Sequence, residues 1–301
     1  MQLVIRPNLS EVRRRLQAPV VTRFAPSPTG LLHLGHVVNA IYVWGLAQAL
    51  GGAVLVRVED HDRIRSRPQF ERFLFVDLQW LGFVDPSTPF LRQQDRHATY
   101  ADALARLRRV AHVYACDCSR TSFRGEQYPG RCRGRGLSEE PGRALRVQID
   151  DRIETADDLL LGRLEQSPAT QCGDLVLKDR DGHWTYQFAV TVDDLLQGVT
   201  LVVRGADLTS STGRQVHLGR VLRTAGVSGG APWPPQYLHH PLVLDAHGRK
   251  LSKSTGAAGV RRLRESGVTA ADVIGLAAAA AGLTNGPSPI HHQDVGTLFR
   301  P

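Results

Sequence analysis

Residues 19–60 constrain the fold more than any other stretch. PVVTRF (19–24) reads as a strand, APSPTG (25–30) as a turn rich in Pro, Ser and Gly, and HLGHVVNAIYVWGLAQALGG (33–52) as a helix that stops at paired glycines. AVLVRVED (53–60) follows with the β-branched content of a buried parallel strand. Two strands joined through a helix run parallel in one sheet, and the crossover is right-handed. Helical patterns at 67–83 and 96–112 continue the alternation, so the expected class is α/β with a mostly parallel sheet.

Beyond 112 the rhythm breaks. Residues 113–146 are rich in Cys, Gly and Arg and read as a small insertion without a core of its own. Regular patterns resume at RALRVQI (143–149), DLVLKD (174–179) and GVTLVVRG (198–205), followed by a helix over 207–225. HHPLVLD (239–245) looks strand-like, 269–283 reads as an Ala-rich helix, and NGPSPIHHQ as a loose tail. Residues 1–19 form an extension with one short helix, LSEVRRRLQA.

No apolar run approaches the roughly 18 residues of a membrane span, and the start carries charges where a signal peptide has an apolar segment. A cytoplasmic protein with no membrane partner is expected. Lys plus Arg is 37 against 29 for Asp plus Glu, a net charge of +8, which suits a polyanion such as RNA. Seven arginines fall within 119–146.

The first chemical site is APSPTGLLHLGH (25–36). Ligands of open α/β sheets bind at the carboxyl ends of strands, and a helix N-terminus there offers N–H groups to phosphate. His33 and His36 can donate hydrogen bonds to phosphate oxygens, and Gly35 between them permits close approach of a ligand. The plain alternative is a pair of capping histidines. There is no G-x-x-x-x-G-K-[ST] and no G-x-G-x-x-G, which sets aside P-loop and dinucleotide readings. As a whole, RFAPSPTGLLHLGH closely resembles the first signature of glutamyl- and glutaminyl-type class I aminoacyl-tRNA synthetases.

KLSKS (250–254) resembles the second signature of the same class. Lys250 and Lys253 sit in a polar loop, and a mobile loop with point charges suits ATP binding and pyrophosphate release. On its own such a loop is an ordinary solvated basic turn; the upstream signature is what gives it meaning. The resemblance puts Lys253 on the pyrophosphate-side oxygens, joined by Lys250, and adds Pro26, His33, Gly35 and His36 to the ATP set. Only 47 residues follow Ser254, where a synthetase usually has a further domain that reads the anticodon.

Arg23, Glu59, Tyr186 and Arg204 are expected at or near strand ends, where a pocket forms. Two arginines suit the two carboxylates of glutamate, and Glu59 suits its ammonium; a surface pair between Arg23 and Glu59 is the bland alternative. In glutamyl-type synthetases the matching residues bind glutamate, and the resemblance adds Ala25 and Ser27. The chain departs from those enzymes at Tyr-Gln-Phe-Ala-Val, where they typically read Y-x-L-A-N. Val190 cannot hydrogen-bond as Asn does, which implies a looser hold on glutamate.

Cys116, Cys118 and Cys132 fall within one short segment, and without a secretory signal a metal is the better reading than a disulfide. Structural Zn²⁺ wants four ligands; Tyr128, His112 or water could supply the fourth. Cys172 reads as a core residue. The segment resembles the Cys-x-Cys…Tyr-x₃-Cys zinc site of glutamyl-queuosine tRNA(Asp) synthetases, which implies one Zn²⁺ held by Cys116, Cys118, Tyr128 and Cys132.

These resemblances imply a class I Rossmann-type parallel-sheet domain with a small zinc-bearing insertion and a short helical C-terminal part. The expected boundaries are 1–19, 20–112, 113–146, 147–245 and 246–301. They imply activation of L-glutamate by ATP with Mg²⁺, catalysed by His33, His36 and Lys253. Glutamate is then transferred to queuosine in the anticodon loop of tRNA(Asp), by a monomer. An acceptor that is itself an anticodon base removes the need for a separate anticodon-reading domain. The alternatives are a truncated glutamyl-tRNA synthetase charging the 3′ end of tRNA(Glu) and, ranked lower, a small-molecule nucleotidyltransferase.

Overall fold

The computed structural model describes residues 6–16, 19–61, 65–123, 127–243 and 259–300. Helix α1 (Leu9–Arg15) is capped by the Asn8 side chain and precedes the sheet. The unit β1 (Val21–Phe24), α2 (Leu34–Leu50), β2 (Ala53–Val58) forms as the sequence predicts, and α3 (Pro68–Leu81) leads on to β3 (Phe90–Arg92). β2 pairs in parallel with both β1 and β3. Gly51, at φ 70°, closes α2 in the left-handed conformation that glycine adopts without strain.

After α4 (His97–Leu107), strands β4 (Val113–Cys116) and β5 (Ala144–Val147) bracket the cysteine-rich segment. A hairpin follows, β6 (Glu154–Asp158) and β7 (Gly162–Gln166), then α5 (Pro168–Cys172) and β8 (Leu175–Lys178). β4, β5 and β8 make an antiparallel sheet, so this sheet takes its third strand from beyond the 113–146 segment. Its apolar face packs with α4 and with α6 (Tyr186–Leu196) through Leu107, Leu145, Leu177 and Phe188.

Strand β9 (Leu201–Gly205), helix α7 (Thr212–Thr224) and strand β10 (Gln236–His240) complete the central layer. β10 runs parallel between β9 and β6. β9 lies beside β1. The Thr200 N–H donates to the Val21 carbonyl at 2.9 Å, the Val21 N–H donates to Thr200 Oγ1 at 2.9 Å, and Arg23 Nη1 donates to the Val203 carbonyl at 3.2 Å. The strands therefore succeed one another as β3-β2-β1-β9-β10-β6, and the order reverses between β1 and β9. Loops leaving neighbouring strands at such a switch point diverge and open a crevice.

Three expectations need correction. The strand expected at 239–245 spans Gln236–His240 instead; Pro241 has no N–H for a ladder and stops it. Tyr186 is the first residue of a helix, not a strand end. The tail is not loose: after Ile290, whose N–H donates to the Ala271 carbonyl, a 3₁₀ segment (His292–Phe299) packs on α2. Phe299 is 2% exposed and lies against Gly45, where an added Cβ would fall 2.3 Å from its ring. Burying that one ring contributes about 1.5–3 kcal/mol. With α9 (Ala270–Ala280), which follows α8 (Val260–Glu265), it covers the face of α2 away from the sheet. That double cover explains why α2 is apolar all round. Among the described residues no helix is long and apolar enough to cross a membrane.

Candidate active site

A cavity of about 340 Å³ opens at the β1/β9 switch point. β1 and the turn after it contribute Arg23, Ala25, Pro26 and Ser27. The start of α2 contributes His33, Gly35 and His36, the residue after β2 is Glu59, α6 contributes Tyr186, and β9 Arg204. The residues singled out from the first signature and from the amino-acid set thus line one cavity. Lys250 and Lys253 lie outside the described residues. The chain on either side of them is at the cavity all the same: Val243 lines it, and Gly259 forms a β-bridge with His33. The Val260 N–H donates to the Leu32 carbonyl at 2.9 Å.

The cavity floor is a buried charge network that the sequence reading passed over. Arg23, 4% exposed, does not pair with Glu59 on the surface; its Nε donates to Asp194 at 3.1 Å. Arg57, fully buried, donates through Nη1 to Asp194 at 2.8 Å and through Nη2 to Glu59 at 3.2 Å. Asp193 is held from the other side by Gln93, Arg96 and Tyr100 at 2.7–2.9 Å. Burial raises the cost of the Asp194 charge, yet Arg23 and Arg57 together hold its carboxyl below the ordinary range. At Glu59 the balance tips the other way: burial pushes its carboxyl above 4.5 against the pull of Arg57 and Arg23. A signal was present in the sequence, since Asp193 and Asp194 stand in an apolar helix and Arg57 in a β-branched strand. Buried charges of that kind occur only with partners.

Arg204 sits among neutral groups. Its guanidinium donates to His239 Nε2 at 3.0 Å, Gln215 Oε1 at 2.6 Å and Thr212 Oγ1 at 2.8 Å. His239 Nδ1 lies 2.6 Å from Asp158, which fixes the tautomer that leaves Nε2 free to accept. Burial, aided by Arg204, holds this imidazole below its ordinary pKa despite Asp158. Asp158 thus lies behind the His239 ring, and the Arg204 guanidinium lines the cavity with neutral groups as its direct partners.

The two histidines of the first signature cap α2. His33 Nδ1 accepts from the Gly35 N–H at 3.1 Å, and His36 Nδ1 accepts from the His33 N–H at 3.2 Å. Acceptance at Nδ1 puts the proton of each neutral ring on Nε2. Capping and a site role are thus compatible: one nitrogen of each ring ends the helix, the other is a donor. The rings stand 3.9 Å apart at the cavity wall.

The cysteine cluster forms its own small core with Tyr114 and Tyr128. The sulfurs of Cys116, Cys118 and Cys132 lie within 4.8 Å of one another, with Cys118 and Cys132 3.6 Å apart. Sulfurs on a tetrahedron with Zn–S near 2.3 Å stand about 3.8 Å apart, so the set fits that ion. Tyr128 Oη is 3.4 Å from the Cys116 sulfur and accepts the Cys132 N–H at 3.0 Å. His112 instead pairs with Gln148. Cys172 is only half-buried, its thiol turned to the Pro168 carbonyl.

Four arginines of 119–146 are paired locally. Arg133 pairs with Asp174, Arg135 with Asp117 and Arg143 with Glu140, while buried Arg146 donates to the Asp174 carbonyl. Arg133 ties the cysteine segment, and Arg146 ties β5, to Asp174 just before β8.

At this switch point donors for phosphate stand beside guanidiniums for a carboxylate, the combination that a nucleotide-dependent acyl-activating enzyme requires. Residues 19–276 match the family tRNA synthetases class I (E and Q), catalytic domain, and the chain belongs to that family. Within it, the chain is 43% identical over 292 residues to a glutamyl-Q tRNA(Asp) synthetase of Burkholderia cenocepacia, covering 90% of this chain and 91% of that protein. A glutamyl-Q tRNA(Asp) synthetase of Nitratidesulfovibrio vulgaris is 39% identical over 287 residues, 87% of this chain and 86% of that one. Among solved structures, a glutamate-tRNA synthetase from Elizabethkingia anophelis aligns with a TM-score of 0.74 at 26% identity over 94% of this chain. The chain spans 65% of that synthetase's length, less than two thirds.

Proposed function

We infer that the protein activates L-glutamate with ATP and transfers the glutamyl group to queuosine at the first anticodon position of tRNA(Asp). The observation that carries this reading is the similarity to a glutamyl-Q tRNA(Asp) synthetase along 91% of that enzyme's length. The cavity supports it on charge. Arg23 and Arg57 are balanced by Asp194 and Glu59, whereas every direct partner of Arg204 is neutral. Arg204, whose direct partners are neutral, is left to meet a side-chain carboxylate, which suits glutamate rather than glutamine.

In this reading Arg23 and Arg204 take the two carboxylates, Glu59 takes the ammonium, and Ala25, Ser27 and Tyr186 enclose the chain between them. The α-carboxylate oxygen attacks the α-phosphorus of ATP, the bond to the β-phosphate oxygen breaks, and pyrophosphate leaves. His33 and His36 donate through Nε2–H to the phosphate oxygens as charge builds. Pro26 and Gly35 let the nucleotide approach the backbone, and Lys250 and Lys253 carry the pyrophosphate side. Mg²⁺ bound with ATP supplies charge neutralisation. A hydroxyl of queuosine then attacks the glutamyl carbonyl and AMP leaves. The enzyme acts as a cytoplasmic monomer.

Pyrophosphate exchange tests the first step. Purified protein with glutamate and ATP should exchange label with no RNA added; strict dependence on RNA counts against the reading. Glu59 must be ionised to hold an ammonium, and its raised pKa means it protonates above 4.5. The KM for glutamate should therefore climb as the pH is lowered from neutral, before 4.5 is reached. In Glu59→Gln the KM should be high and nearly flat over the same range.

Zn²⁺ held by Cys116, Cys118, Cys132 and Tyr128 would be structural, tying β4 to the turns before β5. Metal analysis should give one zinc per chain. Cys118→Ser should lose that zinc and lower the Tm, and a variant that keeps both unchanged speaks against the site.

A further inference from the structure

A second cavity, of about 240 Å³, lies between the end of the first half of the sheet and the turn after β8. The His61 ring lines it and lies 5.8 Å from the ring of Tyr186, which lines the first cavity, so the two cavities are neighbours. His61, Gln94 and His97 come from the sheet side; Asp181, His183 and Trp184 come from the turn after β8. Adenylate formation uses none of these six residues.

Its walls are built. Trp184 Nε1–H donates to His97 Nδ1 at 3.1 Å, and the indole rests on Phe188 at 5.3 Å. Asp179 Oδ1 accepts the N–H of Asp181 at 3.0 Å and of His183 at 2.7 Å, which fixes the turn. The Asp181 carboxylate is exposed and accepts no hydrogen bond within the described residues. Lys178 places its ammonium 5.2 Å from the Trp184 ring, a cation at the edge of the cavity.

We propose that this cavity seats one unstacked base of guanine type, the base that carries the accepting hydroxyl; the proposal rests on the function inferred above. Aromatic walls receive the π-face of a splayed-out base, and single-stranded RNA is read on its Watson–Crick edge. A carboxylate only accepts hydrogen bonds. Among the bases, guanine alone presents two adjacent N–H donors on that edge, so one carboxylate can take both. Queuosine keeps this edge, because its extra ring hangs from position 7 on the opposite side of the base. A base held at Asp181 therefore turns its position-7 substituent across the cavity, toward His61 and the Tyr186 wall, where the glutamyl group is activated. Lys178 meets the neighbouring phosphate.

The test compares two reactions of the full-length enzyme: RNA-free pyrophosphate exchange and transfer of labelled glutamate to queuosine-bearing tRNA(Asp). Asp181→Asn turns an N–H₂ toward a donor edge and should lower the kcat/KM for tRNA by about 10- to 100-fold, with exchange within about twofold of wild type. His97→Ala, an exposed position, should shift the same way with a smaller loss. Equal transfer by Asp181→Asn and wild type overturns the seat, and so does a parallel loss in both reactions. Wild-type enzyme that activates glutamate but never loads tRNA(Asp) refutes the inferred function instead, whatever the variants do.

Discussion

Asp194→Ala should be the most damaging single substitution in the cavity floor. The change leaves Arg23 and Arg57, 4% and 0% exposed, without their shared counter-ion. Removing one partner of a buried ion pair costs about 3–5 kcal/mol, because the remaining charge stays desolvated. A thermal melt should show a drop in Tm on the order of 10 °C, and the surviving folded protein should activate glutamate poorly because Arg23 has lost its anchor. Asp194→Asn keeps the shape and two of the contacts, so it should fall between wild type and alanine. A melt of Asp194→Ala that coincides with wild type would show that Arg23 and Arg57 do not depend on this carboxylate.

His33→Asn separates the two roles of the first histidine. Asn is a favoured N-cap, so its side chain can still accept the Gly35 N–H and hold the start of α2. It cannot replace the imidazole Nε2–H at the nucleotide. Stability should stay within about 0.5 kcal/mol of wild type, while the kcat for adenylate formation falls about 10²- to 10³-fold, the usual loss for one preorganised donor to a developing charge. His33→Ala should lose the same rate and about 1 kcal/mol of stability besides. If His33→Asn keeps full exchange activity, the histidine is a cap and nothing more.

Much of this was readable from sequence because its signals are local. The β1–α2–β2 crossover follows from turn residues, a glycine stop and β-branched content over consecutive residues, and it appears with Gly51 in the left-handed cap. The cluster of Cys116, Cys118, Tyr128 and Cys132 is likewise close in sequence. What was missed is non-local. Asp194 meets Arg23 across 171 positions and Arg57 across 137, and no spacing rule links them. His239 and Asp158, which set the neutral surroundings of Arg204, come from strands 81 positions apart. The 3₁₀ tail was misjudged because Gly, Pro and Ser dominate the residues before it. Its anchors, Val295 and Phe299, meet α2 at Gly45 and Tyr42, toward the other end of the chain.

The acceptor separates this enzyme from one that charges tRNA at its 3′ end, and mapping the labelled product identifies it. Radioactive glutamate, ATP and enzyme are incubated with tRNA(Asp) carrying queuosine, with tRNA(Asp) lacking it, and with tRNA(Glu), and each RNA is then digested to nucleosides. Label is expected on the queuosine of the tRNA(Asp) anticodon and on neither of the other RNAs. Label on the 3′-terminal adenosine of tRNA(Glu) would contradict it and leave an enzyme that charges tRNA in the ordinary way.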